Sequence, residues 1–400
     1  MNKPSLKLYQ AVSALHDAGA VEVAHANLIE ALKESFEVEI LPLTDIARAG
    51  ETAVIFMASG GVEETVRDAV LASPAIQRLY LLADGLQNSL AASLETAAWL
   101  KTRNIEVRII HGTPSMIIKE LRMLPGADAL RVSRVGLIGD ASGWLISSEI
   151  DFDAVSSTFG IEFIRIPLTE VIEEYATAEP AKVKGLGGLV RVEPSEEDLE
   201  KALRLTSAIE TIVKRYSLDA FTLKCFDLLE PLGTTGCLAL AHMNAKGIPA
   251  GCEGDVPSLL TMLLSQNVAG AKAFMANPSG IDVENNEIIL AHCTLPLNMA
   301  PINILRSHFE SGIGVAIQGV LPLGEVTVVK WWGREMKDYF ISRGQLIENT
   351  DNPSMCRTQV KIRLDENVDY FLTRPLGNHH IVLLGDHTER LRRFFEAATN

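Results

Sequence analysis

Residues 53–71, AVIFMASGGVEETVRDAVL, decide the fold class, because an apolar run passes through two glycines into a stretch with helical periodicity. The apolar run has the length of a buried strand, and the following segment spaces its apolar residues three and four positions apart. A strand, a tight turn and a helix in this order form a βα unit of a parallel sheet. The pair Gly60-Gly61 is interpreted as this turn, since two glycines alone do not make a nucleotide-binding fingerprint.

The same alternation of strands and helices continues on both sides of this unit. Strands are predicted at 6–11, 38–41, 53–58, 79–82 and 105–110, with helices at 21–36, 62–71 and 89–102. This pattern predicts an α/β domain with a doubly wound parallel sheet at residues 1–130. A second α/β domain is predicted at 131–286, with strands at 135–138, 161–166, 221–225 and 249–252. In it, Ser195 and Asp198 form a capping box that opens a long helix ending near Tyr216.

The pattern changes near Glu287, where short alternating segments lie between Gly, Pro and Asn turns. Such a pattern is typical of antiparallel strands, and it predicts a β-barrel domain at residues 287–400 with a terminal helix at 388–398. The predicted fold class is therefore α/β, with two doubly wound domains followed by a C-terminal antiparallel β-barrel domain.

Composition limits the partners that the protein can have. Hydrophobic residues make up 47% and charged residues 22% of the 400-residue chain, which is ordinary for a globular protein. Its 36 basic and 51 acidic residues give a net charge of −15, so we expect neither nucleic acid nor a membrane as partner. The five cysteines never form a CxxC pair, and we find no signal peptide. We therefore expect a cytoplasmic protein with reduced thiols.

Two carboxylates follow the last predicted strand of the second domain. In Gly251-Cys-Glu-Gly-Asp255, a strand ends, Glu253 and Asp255 follow, and a helix begins at once. The carboxyl edge of a parallel sheet is where ligands bind, so these side chains are candidates for metal binding or proton transfer. Asp255 can alternatively be a simple N-cap, a role that does not account for Glu253.

Histidines are concentrated in the predicted barrel domain. Five lie after residue 290: His292, His308, His379, His380 and His387. Together with the acidic residues they offer oxygen and nitrogen ligands without a thiolate cluster, which suits Mn²⁺, Mg²⁺ or Co²⁺ better than structural zinc. His308 and Glu310 are predicted to share a strand face, either facing substrate or forming a salt bridge at the rim. Arg357 can hold a sugar hydroxyl or an anionic group, or pair with acidic surface residues.

Four short motifs in this order resemble the L-fucose isomerase and L-arabinose isomerase family, in particular its shorter L-fucose-isomerase-like branch. The motifs are Glu253-Gly-Asp255, Phe274-Met-Ala-Asn277, Ala291-His292-Cys-Thr294 and Gly377-Asn378-His379. The resemblance covers the chain from about Val132 to its C-terminus. It implies two Rossmann-like domains and a β-barrel, assembled as a homo-trimer or homo-hexamer, and a Mn²⁺ cofactor.

The resemblance also implies roles for individual residues. Glu253 would be a metal ligand and acid/base, and the second family acid, 24 residues later, is replaced here by Asn277. The late metal histidine is His379 by the fucose-type motif and His380 by the arabinose-type motif, and His292 matches a histidine of arabinose isomerases. An amide can ligate a metal but cannot accept a proton, so we expect Asp255 to supply the missing acid/base function.

The predicted function is a metal-dependent aldose–ketose isomerase that acts through an enediol on a sugar of unknown identity. Asn277, His292, His308, Glu310 and Arg357 are the predicted substrate contacts. Asn277 also motivates an alternative, a sugar-binding relative of the same fold without turnover. A third alternative is a lyase or epimerase reaction through the same enediolate.

Overall fold

The computed structural model describes residues 5–122 and 133–399, and the chain divides into two compact units, Met1–Leu124 and Pro125–Asn400. The domain boundary predicted between residues 130 and 131 lies outside the described residues. The second unit contains both a parallel sheet and a barrel, which are described separately below. The division into three domains stays a prediction.

The first unit is built on a parallel five-stranded sheet. Its strands are β1 Ser5–Ala11, β2 Glu37–Pro42, β3 Thr52–Met57, β4 Arg78–Ala83 and β5 Glu106–His111, and its helices are α1 Ala18–Ser35, α2 Glu63–Leu71, α3 Ser89–Lys101 and α4 Pro114–Arg122. The strand order β2-β1-β3-β4-β5 is that of a doubly wound sheet. Helices α1 and α4 contribute to one apolar cluster, and α2 and α3 contribute to another.

The parallel sheet of the second unit has four strands in the order β10-β9-β6-β7. These are β6 Arg134–Ile138, β7 Glu162–Ile166, β9 Ala220–Leu223 and β10 Ala250–Cys252; the associated helices are α5 Phe152–Phe159, α6 Leu168–Thr177, α7 Glu196–Arg215, α8 Leu229–Leu232, α9 Cys237–Ala245 and α10 Val256–Leu264. The capping box of Ser195 and Asp198 opens α7 as predicted. Helix α6 was not predicted, because only Val171 of its mostly polar sequence is buried.

The C-terminal part forms a closed barrel in the order β11-β12-β17-β16-β15-β18, with antiparallel neighbours throughout. Its elements are β11 Ala273–Asp282, β12 Glu287–His292, β15 Gly324–Trp332, β16 Asp338–Asn349, β17 Thr358–Leu364 and β18 His380–Leu384, with α11 Tyr370–Thr373 and α12 Thr388–Thr399. The predicted fold class, parallel α/β domains followed by an antiparallel barrel, is confirmed. The first barrel strand begins at Ala273, ahead of the change in sequence pattern near Glu287.

Three short strands form a separate small sheet in the order β14-β13-β8. They are β8 Val190–Arg191, β13 Ile302–Arg306 and β14 Ala316–Val320. Helix α10 connects the parallel sheet to the barrel, since Thr261 Oγ1 accepts a hydrogen bond of 3.0 Å from Trp331 N of β15. Within residues 5–122 and 133–399, no helix combines the length and the hydropathy needed to cross a membrane.

Candidate active site

A strained turn at the carboxyl end of β10 carries the first candidate carboxylate. Glu253 has φ 61° and Gly254 has φ 76°, so two consecutive residues are left-handed before Asp255 caps helix α10. A left-handed conformation is unfavourable for a residue with a Cβ, and such strain is concentrated at functional sites. A residue from another loop stabilises this turn, because Ser142 N donates a 2.8 Å hydrogen bond to Glu253 O.

Replacing Gly254 by alanine is expected to destabilise the protein by about 2–4 kcal/mol. A Cβ at Gly254 would lie 2.5 Å from Ala141 Cα and 2.6 Å from Asp140 O, so rigid backbone would have to move. Gly247→Ala is the matched control, since Gly247 has φ 84° with open space around its Cβ position. Chemical denaturation of both variants tests this, and equal losses of unfolding free energy would contradict a role for the close approach.

Glu253 is buried, and its two carboxylate oxygens have different neighbours. Oε2 accepts a 2.6 Å hydrogen bond from Trp144 Nε1, whereas Oε1 lies 3.5 Å from His379 Nε2 and 3.9 Å from His292 Nε2. Burial raises the pKa of Glu253, but the interactions with His379, His292 and Trp144 outweigh burial and lower the pKa to about 2. Burial, reinforced by the charge of His379, lowers the pKa of His292 to about 3. At neutral pH, Glu253 is therefore a carboxylate and His292 a neutral imidazole.

His379 lies between the two carboxylates that follow β10. Its Nδ1 donates a 2.8 Å hydrogen bond to Asp255 Oδ2, and its Nε2 points toward Glu253. Burial lowers the pKa of His379, but the hydrogen bond with Asp255 and the negative charge of nearby Glu253 outweigh it and raise the pKa to about 9. At neutral pH both ring nitrogens of His379 are therefore protonated, and a cation would have to displace the proton on Nε2. Coordination through Nε2 while Nδ1 donates to a carboxylate is the arrangement of a metal ligand with its supporting partner.

Asp255 is completely buried, and both of its carboxylate oxygens accept hydrogen bonds. Besides His379, it accepts a 2.8 Å hydrogen bond from Ser258 Oγ and a 3.0 Å hydrogen bond from Ser258 N, and Lys330 Nζ lies 3.7 Å from its Oδ2. Burial raises the pKa of Asp255, but the charge of Lys330 and the hydrogen bond with His379 hold it well below the usual range. Asp255 is thus the N-cap that its sequence position allowed, and it also orients His379.

The donor atoms around Glu253 fit a divalent cation. His379 Nε2 is buried without a hydrogen-bond partner in the described part of the chain, and such an atom is rare in native structures. Two donors that are each about 2.1 Å from one ion lie no more than about 4.2 Å apart, and Glu253 Oε1 meets this limit with His379 Nε2 and, separately, with His292 Nε2. The two histidines do not form a group of three with Glu253 in which all donors lie within 4.8 Å, so one of them has to move to share an ion with the other. Cys252 also offers a donor, which lies within 4.8 Å of donors on Glu253 and His292.

The two other residues predicted as metal ligands, His380 and Asn277, form hydrogen bonds with other residues of the C-terminal part. His380 Nδ1 donates to Asn378 O at 2.9 Å, and its Nε2 accepts from the Tyr370 hydroxyl at 3.0 Å. Burial lowers the pKa of His380 to about 3. Asn277 Oδ1 accepts a 2.9 Å hydrogen bond from Asn378 Nδ2. Of the two adjacent histidines, His379 is therefore the one beside Glu253.

The predicted pair of His308 and Glu310 lies in a turn, because β13 ends at Arg306. The prediction that they share a strand face is wrong, and Glu310 is exposed while His308 is buried. Arg357 lies against this turn, where its Nε donates to Ser307 O at 2.8 Å. Burial and the charge of Arg357 lower the pKa of His308, which keeps its ring neutral at neutral pH.

Two residues of the site were missed by sequence reasoning. Trp144 is half-exposed beside Glu253, and its ring contacts Phe226 edge-on at 5.1 Å, as Phe226 contacts His308 at 5.4 Å. Its signal in the sequence was an aromatic residue in the turn that follows β6. Lys330 is fully buried and donates to Ser258 Oγ at 2.8 Å. Its signal was a single lysine within the apolar strand VTVVKWW.

The fold and these side chains define an α/β protein with a C-terminal barrel and a buried carboxylate–histidine site that fits a cation. Among proteins of known activity, the chain is similar to the sulfoquinovose isomerases of Priestia aryabhattai and Priestia megaterium (strain ATCC 12872 / QMB1551). Each is 23% identical over 270 residues, which cover 61% of this chain and 58% of the relative. The sulfoquinovose isomerase of Clostridium sp. (strain MSTE9) is 27% identical over 167 residues, 40% of this chain and 36% of the relative. The chain thus spans less than two thirds of the relatives that it matches, and no protein-family model matches it.

Proposed function

We propose that the chain is a metal-dependent sugar isomerase that interconverts an aldose and a ketose through an enediol. The observation that carries this proposal is the buried cluster in which Glu253 Oε1 lies 3.5 Å from His379 Nε2 and 3.9 Å from His292 Nε2. The similarity to sulfoquinovose isomerases supports a sugar as substrate. Sulfoquinovose, a hexose with a sulfonate group, is the first substrate to test.

Glu253, His292 and His379 are the residues that would hold the ion. Mn²⁺ is the preferred candidate, because oxygen and imidazole nitrogen donors suit it better than a thiol does. Cys252 is accordingly left out of this set, and its sulfur already contacts Cys225 Sγ at 3.0 Å. When bound, such an ion supplies Lewis-acid stabilisation of the negative charge of an enediolate.

The side chains around the ligands divide the remaining tasks. Glu253 is charged at neutral pH, so its carboxylate can accept a proton from a sugar carbon. His308 Nδ1 accepts a hydrogen bond from Ser311 N, which leaves the ring proton of neutral His308 on Nε2 to donate to a sugar oxygen. Asp255 is assigned a positioning role through His379, in place of the proton-transfer role that its sequence position predicted.

Trp144 and Arg357 are the proposed contacts to the body of the sugar. The half-exposed indole of Trp144 offers an apolar face beside Glu253, and such faces stack on sugar rings. Arg357 presents a guanidinium beside His308, and this group matches the geometry of an oxyanion such as a sulfonate. Asn277, Glu310 and His380 are left without a catalytic task.

The proposed reaction is tested with sulfoquinovose and with glucose, its closest counterpart that bears a hydroxyl in place of the sulfonate. We expect nuclear magnetic resonance to show a ketose product only with Mn²⁺ present. Solvent deuterium should enter C1 of the ketose and C2 of the recovered aldose, because the enediol can be protonated from solvent at either carbon. Removal of the ion with a chelator should stop both. If no sugar of a broad panel gave a ketose or took up deuterium, the proposed isomerase function would be contradicted.

The second candidate function is sugar binding without turnover, and Asn277 favours it. In the family that the chain resembles, an acidic residue stands at the position of Asn277. The amide oxygen of Asn277 accepts a hydrogen bond from Asn378 Nδ2. In that case a sugar would raise the melting temperature of the protein with Mn²⁺ present, and no deuterium would enter the sugar.

We also expect the chain to assemble as a homo-trimer or homo-hexamer. Trp144 and Ile146, the latter 90% exposed, place apolar surface next to the candidate active site, and such surface marks contacts with other chains. Light scattering at micromolar concentration measures the assembly, and a monomer would contradict this expectation. A cytoplasmic location, and the expectation of neither nucleic acid nor membrane as partner, stay predictions.

A further inference from the structure

Two buried thiols lie directly beneath the candidate active site. Cys225 Sγ and Cys252 Sγ are 3.0 Å apart, and Cys252 immediately precedes Glu253. The contact crosses between neighbouring strands, because Cys252 of β10 pairs with Leu223 of β9 and Cys225 follows Leu223 by two residues. A disulfide bond is about 2.05 Å long, so the two sulfurs need to approach by only about 1 Å.

A small cleft leads to one of these two sulfurs. It is lined by Cys225, Phe226, Leu229, Thr235, Cys237 and His308 and has a volume of about 10 Å³. The Thr235 hydroxyl is buried there, and its oxygen has no hydrogen-bond partner among the described residues. The cleft has room for no more than about one water molecule, and Cys225 is the member of the thiol pair that lines it.

We propose that Cys225 and Cys252 form a reversible disulfide that switches off the cation site at Glu253, with a peroxide as the oxidant. The disulfide itself follows from the positions of the sulfurs, whereas its effect on the cation rests on the proposed function. The other three cysteines lie outside the pair: Cys237 and Cys293 belong to a separate apolar cluster against which Cys356 packs.

The chemistry needs one peroxide for each disulfide. The Cys225 sulfur attacks one peroxide oxygen, the O–O bond breaks, and the departing hydroxide takes the Cys225 thiol proton and becomes water. The Cys252 sulfur then attacks the sulfur of the Cys225 sulfenic acid, the S–O bond breaks, and the second hydroxide leaves as water with the Cys252 proton. Two thiols lose two electrons, peroxide gains them, and a dithiol reductant reverses the change.

The disulfide would act on Glu253 through the backbone. Pulling Cys252 toward Cys225 displaces the residue next to it, and Glu253 is already held in a left-handed conformation with its backbone oxygen bound by Ser142. Its Oε1 has to stay within reach of both His379 Nε2 and His292 Nε2 to share one ion with them. A shift of the carboxylate by a fraction of an ångström therefore weakens the ligand set.

The test treats the Mn²⁺-loaded full chain with hydrogen peroxide and maps its peptides without reduction. We expect a linked pair of peptides that contain Cys225 and Cys252, at least a ten-fold loss of Mn²⁺ affinity, and recovery of both with dithiothreitol. Cys225→Ala should form no such link and keep its Mn²⁺ affinity after peroxide. Cys356→Ala is the matched control and should behave like the unaltered protein.

Several outcomes would overturn the proposal, and the peptide map of the unaltered chain gives a result even if a variant fails to fold. The absence of the Cys225–Cys252 link, or a link through another cysteine, refutes the disulfide. A disulfide that leaves Mn²⁺ affinity unchanged refutes the switch. Reduced protein that binds no Mn²⁺ refutes the metal site of the proposed function, and the peptide map still decides whether the disulfide forms.

Discussion

Replacing Glu253 by glutamine is expected to reduce isomerase turnover by about 10²–10⁴-fold, the range for loss of a general acid–base group. Mn²⁺ affinity should fall by more than about 100-fold. Loss of a residue that only hydrogen-bonds to a metal ligand already lowers metal affinity by about 10–100-fold, and Glu253 is proposed as a ligand itself. The physical reason is that glutamine keeps the shape of the side chain and an oxygen for Trp144 but removes the negative charge between His292 and His379. Titration calorimetry with Mn²⁺ and a turnover assay measure the two effects.

Glu287→Gln is the matched control for this change. Glu287 is also a buried glutamate, but it pairs with Lys361 and Arg363 on the barrel. This variant should lose some stability and retain Mn²⁺ affinity. If Glu253→Gln also bound Mn²⁺ as tightly as the unaltered protein, the cation site would have to lie elsewhere.

Replacing Asp255 by asparagine is expected to affect both the fold and the cation site. Lys330 would lose the carboxylate that faces its buried ammonium, and breaking a buried pair in this way costs about 3–5 kcal/mol of unfolding free energy. His379 would lose the charged acceptor for its Nδ1 proton, so Mn²⁺ affinity should fall by about 10–100-fold. Chemical denaturation and Mn²⁺ titration measure these two losses separately.

A second substitution separates the two roles of Asp255. In the double variant Asp255→Asn with Lys330→Met, no unpaired ammonium remains in the core, so much of the lost stability should return. Mn²⁺ affinity should stay low, because His379 still lacks its carboxylate partner. An Asp255→Asn variant with full Mn²⁺ affinity and reduced turnover would contradict the positioning role and favour the proton-transfer role predicted from the sequence.

Local patterns were sufficient to predict most of the secondary structure. Residues 53–71 form β3 and α2 as their change of periodicity predicts, and the capping box at Ser195 opens α7. These features depend on neighbours within a few residues, so the sequence contains them directly. The long strands β11 and β16 were missed, since Gly, Pro and polar residues interrupt their alternation and only pairing around a closed barrel stabilises them.

The position of the site could be predicted in part for the same reason. Glu253 and Asp255 follow directly after a buried strand, and the carboxyl edge of a parallel sheet is a general place for ligands. For Glu253, the motif resemblance offered His379 and His380 as co-ligands without choosing between them, and no pattern indicated the partners of Asp255. Lys330, which faces Asp255, lies 3.7 Å away in space but on a barrel strand far along the chain.

The sequence by itself therefore determined the α/β class, the barrel at the C-terminus and the strand end that carries the carboxylates. Only the tertiary structure decided that His379 reaches Glu253 while His380 is enclosed with Tyr370. Adjacent residues entering a strand point to opposite faces, and which face meets the sheet edge depends on how β18 pairs in the barrel. The roles of these two histidines are set by contacts between distant parts of the chain, and no local pattern of residues encodes such contacts.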